Sequence, residues 1–119
     1  MRLHYLGPAL PGHDHPALET LDVRRLPPSC YLVEVGEDAG VDGEIIEGDV
    51  LVIDEARPVQ HGDLVAVQGE DSLQLCRSHR IGGRFRLMQT AGPQESTWAR
   101  QSACRGVVVK HLQYEVQAS

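Results

Sequence analysis

Apolar residues in this chain gather in short runs, each preceded by a turn, with almost no helical period between them. The sharpest run is Val50-Leu51-Val52-Ile53, three of whose four residues are β-branched, so it predicts a strand buried on both faces. Ahead of it, Gly36, Gly40, Gly43 and Gly48 are spaced among acidic residues and predict an irregular loop of the kind that carries sites. Tyr31-Leu32-Val33-Glu34-Val35 reads as the strand before that loop, and Leu64-Val65-Ala66-Val67 as the strand after Arg57-Pro58 and the His61-Gly62-Asp63 turn. A Gly-Asp pair therefore launches a strand twice, at Gly48-Asp49 and at Gly62-Asp63. Gly69 to Ser72 connects to Leu73-Gln74-Leu75-Cys76, an alternating, half-exposed strand. After the Gly82-Gly83 turn come Phe85 to Met88, a long polar loop from Thr90 to Arg100, and a closing strand from Gly106 to Leu112. Strands at such intervals predict a mainly β, single, curved and partly closed domain over residues 30–119.

Residues 1–29 break this pattern. They hold five of the seven prolines, and each proline removes a backbone donor, so the segment reads as an irregular N-terminal arm whose middle, Ala17 to Leu26, is extended or irregular. At 119 residues, with 41% hydrophobic and 24% charged, the chain has the composition of one ordinary globular domain. No apolar run approaches the roughly 20 residues of a membrane span, and Met1 to Pro8 lacks the apolar core of a secretory signal, so a cytoplasmic protein is expected. Cys30, Cys76 and Cys104 have no paired spacing and are expected as free thiols. The formal charge of −6 disfavours direct nucleic-acid binding, although Arg77, Arg80, Arg84 and Arg86 make one local basic patch.

From Leu21 to Leu112 the sequence resembles the C-terminal, signal-peptidase-like domain of LexA and especially of UmuD, self-cleaving Ser-Lys peptidases of the bacterial SOS response. Leu21-Asp22-Val23 and Ser29-Cys30-Tyr31-Leu32-Val33 match the approach to that family's first core strand. Asp42-Gly43, Ile45, Glu47-Gly48-Asp49 and Asp54 match its central motif, with His61-Gly62-Asp63-Leu64-Val65 following, and Gly106-Val107-Val108 match its closing strand. The resemblance implies a serine nucleophile ahead of the first Gly-Asp turn and a lysine base on the hairpin after the second. Burial deprives such a lysine of its charge, and the neutral amine takes the serine proton.

Those positions fall on Ala39, within Asp38-Ala39-Gly40, and on Cys76. One observation does not depend on alignment: there is no Ser, Thr or Cys between Tyr31 and Asp71, and the one lysine is Lys110 in the last strand. The resemblance thus implies the frame of a peptidase site without its dyad. The arm offers only Leu6-Gly7 and Pro11-Gly12 where relatives cut themselves at a small residue before Gly; Ala39-Gly40 lies inside the site itself.

Other constellations compete with this reading. His13-Asp14-His15 has metal-type ligands but no further ligand at fixed spacing, so no metal or other cofactor is expected. Cys76 or Ser72 with His79 as base would make an alternative hydrolase, yet positions 76 and 79 of a strand face opposite ways. The acidic set Glu34, Glu37, Asp38, Asp42, Glu44, Glu47 and Asp49 lacks the spacing of a calcium loop and reads as a solvated rim. Trp98 reads as an interface anchor or a lid over a core edge.

At 119 residues no helix-turn-helix domain is expected beside this one, so a UmuD-like rather than a repressor-like protein is expected. The resemblance then implies a homodimer formed near residues 106–117, with Val108, Lys110, Leu112 and Tyr114 at the interface. It also implies a protein partner such as a translesion DNA polymerase, the RecA filament or an active homologue.

Overall fold

The structure is a computed structural model that describes residues 2–10, 15, 18, 23–36, 45–68, 73–82, 84–89, 96–98 and 104–113. The readings placed on His13, Asp14, Asp38, Ala39, Gly40, Gly43, Ser72 and Tyr114 lie outside these residues. Among them are eight strands: β1 (Arg2–Pro8), β2 (Cys30–Val35), β3 (Val50–Asp54), β4 (Leu64–Gln68), β5 (Leu73–Ile81), β6 (Arg84–Gln89), β7 (Ser96–Trp98) and β8 (Cys104–Leu112). They form one antiparallel sheet in the order β1-β2-β3-β8-β4-β5-β6-β7. A further pairing of β1 with β5, through Arg2↔Gln74 and Leu3↔Leu73, bends the first six of these into a ring. The expected curved, partly closed β domain is the observed one.

Ring closure explains why β3 is apolar at every position. Leu51 and Ile53 point inward to a core with Leu3, Tyr31, Val33, Val35, Ile45, Ala66 and Leu75. Val50 and Val52 point outward, yet they too are fully buried, under Leu18 and Leu26 of the N-terminal segment, with Leu32 and Leu112 beside them. A strand in an antiparallel barrel ordinarily alternates apolar and polar residues. Here a second apolar layer outside the ring removes the need for polar positions, and each valine so covered contributes about 1.5–3 kcal/mol.

Three elements differ from the sequence reading. Arg2–Pro8 is a strand within the ring rather than arm, and Leu3 is buried in the core. Its proline is tolerated because it stands at the strand's last residue, and Gly7, at φ 120, takes up the register shift between Tyr5 and Gly7. The Thr90 to Arg100 loop contains the short strand β7, paired with β6. β5 runs on to Ile81 instead of stopping at Cys76, and Leu75 and Cys76 are both buried although they face opposite sides of the strand, Leu75 in the ring core.

β8 lies between β3 and β4, pairing Val107 with both Asp54 and Val65. Gly106 makes this close approach feasible: it has φ +128, and a Cβ there would lie 2.6 Å from Ile53 Cγ2 and 2.9 Å from the Asp54 carbonyl oxygen. Among the described residues no helix is long and apolar enough to cross a membrane.

Candidate functional site

The two Gly-Asp segments fold into the same turn. In Ile46-Glu47-Gly48-Asp49 the Ile46 N–H donates to Asp49 Oδ2 at 3.1 Å, and the Asp49 N–H donates back to the Ile46 carbonyl at 3.2 Å. In Gln60-His61-Gly62-Asp63 the Gln60 N–H donates to Asp63 Oδ2 at 2.8 Å, and the Asp63 N–H returns to the Gln60 carbonyl at 3.2 Å. Gly48 and Gly62 have φ of +88° and +84°, the value required at the third position of a type II turn. The aspartate thus caps its own turn before the chain enters β3 or β4.

Beyond this shared geometry the two aspartates differ. Asp49 is fully buried, and its Oδ2 lies 2.6 Å from His111 Nε2 on β8. The sequence reading places Asp49 in a solvated acidic rim; the structure corrects this, because the carboxylate is turned inward by its turn and met there by His111. Asp63 is only half-buried, and its backbone is instead gripped by Ser78. The Ser78 hydroxyl donates to the Gln60 carbonyl at 2.5 Å and accepts the Asp63 N–H at 3.1 Å. Ser78 is fully buried and committed to these bonds, so it is a strut of the second turn rather than a nucleophile.

Cys76 is buried on the face of β5 opposite Leu75. Burial pushes its thiol pKa up, the reverse of the depression that activates a cysteine. The register from Cys76↔Gln89 to Ile81↔Arg84 is unbroken, so Cys76 and His79 face opposite sides of β5 and are not brought together. The His79 ring instead meets His61, edge-on at 5.5 Å between centroids. Lys110 is exposed on β8, paired with Val52, and does not approach the β4–β5 hairpin by register.

Of the metal-type residues in the N-terminal segment, His15 has Nε2 2.6 Å from Glu34 Oε2 and so tacks the segment to β2. Glu34 is thereby a partner of His15 rather than a member of a free acidic rim. Among the described residues no three His, Cys, Asp or Glu cluster as metal ligands would.

The residues expected at an interface on β8 are placed as follows. Val108 is half-buried and packs against the ring core, and Leu112 is buried in the outer layer. Lys110 is exposed. β4 covers β8 only near Cys104 to Val107, and no described strand pairs with residues 108–112 on the side away from β3. What is open there is backbone.

At the other end of the ring, Tyr31 closes the floor of a cleft of about 310 Å³ lined by Tyr5, Pro28, Glu55, Leu73 and Arg105. The Tyr31 hydroxyl donates to the Arg105 carbonyl at 2.6 Å, and burial pushes its pKa up to about 12. The folded state therefore favours the neutral phenol, which contributes stability below the ordinary pKa near 10 that is lost as pH rises through about 12. Absorbance titration at 295 nm is expected to show one late-ionising tyrosine near pH 12, absent from Tyr31→Phe. Nearby, the Ser29 hydroxyl at 2.6 Å holds the Asp54 carboxyl below the usual carboxylate range, with the Ala56 N–H adding to it. Sequence reading missed Tyr31 and His111 as paired groups, since their partners lie 74 and 62 residues away.

A ring of antiparallel strands, with Gly-Asp turns ahead of β3 and β4 and β8 let in between them at Gly106, is compatible with the LexA-like β fold. No protein-family model matches the chain. LexA repressor 2 of Pseudomonas putida is 30% identical to it over 83 residues, which is 70% of this chain and 40% of that protein. The chain is LexA-like over that span and corresponds to about 40% of the length of the relative it matches.

Proposed function

We propose that the chain is a LexA-like peptidase domain that has lost its chemistry and acts by binding other proteins in the bacterial DNA-damage response. The supporting observation is the content of the site. No Ser, Thr or Cys occurs between Tyr31 and Asp71, so no register of the loop supplies a nucleophile before the first turn. Cys76 occupies the base position with a buried thiol that resists ionisation, and a thiol in that state neither attacks nor accepts a serine proton. Both turns that frame the site persist around these substitutions.

By resemblance to UmuD, the partners are a second copy of the chain and a translesion polymerase, the RecA filament or an active homologue. The backbone of residues 108–112, with which no described strand pairs on the side away from β3, supports a two-fold pairing of β8 with β8, made by main-chain bonds with Lys110 beside them. Purified protein incubated at alkaline pH, with and without activated RecA, is expected to remain intact by mass spectrometry over a day. Accumulation of a discrete self-cleavage fragment overturns the reading.

A further inference from the structure

We propose that the half-buried face of the β5–β6 hairpin, the one that carries Arg77, His79 and Arg86, binds a short acidic segment of a partner protein, held in an extended conformation. The charge of the chain is unevenly distributed. From Ser72 to Gln94 there are four arginines and one histidine and no Asp or Glu. Eleven less these four leaves seven Lys and Arg in the rest of the chain, against all seventeen Asp and Glu. A cationic island thus sits in an anionic protein.

The register shows how the fold sorts that island. Arg77↔Met88, His79↔Arg86 and Ile81↔Arg84 are cross-strand pairs, and paired residues share a face of the sheet. The opposite face carries Ser78↔Leu87, both buried. Arg77, His79, Arg86 and Met88 are half-buried on the face that continues from Leu75 as β5 runs past the ring, and Ile81 is 51% exposed at its end. The second Gly-Asp turn braces one side: Arg77 donates to the Gly62 carbonyl at 3.1 Å, the His61 ring meets the His79 ring edge-on, and the Arg80 N–H donates to His61 Nδ1 at 2.8 Å. The arginine nearest the turn is therefore held in place rather than swinging freely, which lowers the ordering cost of binding.

Cations alternating with apolar side chains match a ligand with carboxylates beside apolar residues. From Arg77 to Ile81 the strand extends about 13 Å, the length of four or five extended residues. A short peptide confines its charge to that patch. A nucleic-acid strand continues past it into the field of the remaining acidic residues, which repels phosphate. The inference is separate from the loss of catalysis, because this face is present whether or not the site cleaves.

The test is fluorescence anisotropy at low salt, using a labelled ten-residue peptide of alternating acidic residues and Leu. Saturable binding is expected, weakened at least tenfold by the double variant Arg77→Glu/Arg86→Glu and by 300 mM salt. Arg24→Glu/Arg25→Glu changes net charge equally at exposed residues elsewhere and is expected to bind within twofold of the parent. Thermal melts verify that both variants are folded. Binding no stronger than that of the same peptide with Gln for each acid overturns the proposal, as does equal weakening by both double variants. Tighter binding of a ten-nucleotide oligothymidine, lost in Arg77→Glu/Arg86→Glu, also overturns it and assigns the face to nucleic acid.

Discussion

Gly106→Ala is expected to lower the unfolding free energy by about 3–4 kcal/mol, measured by urea denaturation, because two penalties coincide at one residue. An alanine at φ +128 is strained, and its Cβ would press on Ile53 Cγ2 at 2.6 Å and on the Asp54 carbonyl oxygen and Glu55 Cα at 2.9 Å. Two of those three atoms are backbone, so the clash is relieved only by moving β8 off β3. Gly62→Ala separates the two effects. It has φ +84 with nothing within 4 Å of the new Cβ, and is expected to cost only about 1–2 kcal/mol for the left-handed backbone. Equal losses at the two positions would mean that the close approach of β8 to β3 contributes nothing.

His111→Ala is expected to cost about 3 kcal/mol, since it leaves the fully buried Asp49 carboxylate without its cross-strand partner. The Ile46 N–H still reaches the carboxylate, which keeps the loss toward the lower end of the range for broken buried pairs. Adding Asp49→Asn to His111→Ala is expected to restore part of the stability, because an amide is less costly to bury unpaired than a charge. A double-mutant cycle in urea at neutral pH reads the coupling directly; strictly additive losses would show that the two groups do not interact.

The parts of this fold that were legible in the sequence are those whose cause is local. The β3 run announces itself because four apolar residues in a row have few other uses, and each Gly-Asp turn because the glycine φ and the aspartate cap lie within four residues of each other. β1 was hidden because its proline and glycine carry the same signal in a strand end and bulge as in a loop. Its membership in the ring depends on Leu73 and Gln74, some seventy residues away. The inward turn of Asp49 was equally hidden, since an aspartate among acids and glycines reads as solvated until His111 is placed beside it. For the candidate site, the lack of Ser, Thr and Cys between Tyr31 and Asp71 and the position of the one lysine, Lys110, could be read from residue types alone. Which face of β5 holds Cys76 and which holds His79 followed from strand alternation and is what the register shows.

The ring is closed by its shortest seam, the two residue pairs Arg2↔Gln74 and Leu3↔Leu73. In sequence β1 is separated from β2 by residues 9–29. The contacts that complete the ring are the same whichever copy of the chain supplies β1. Two molecules that trade first strands would each keep a whole core while becoming inseparable without unfolding that seam, an exchange of identical parts rather than a new surface. The closure that makes one chain self-contained is therefore also the place where two chains could be interlocked.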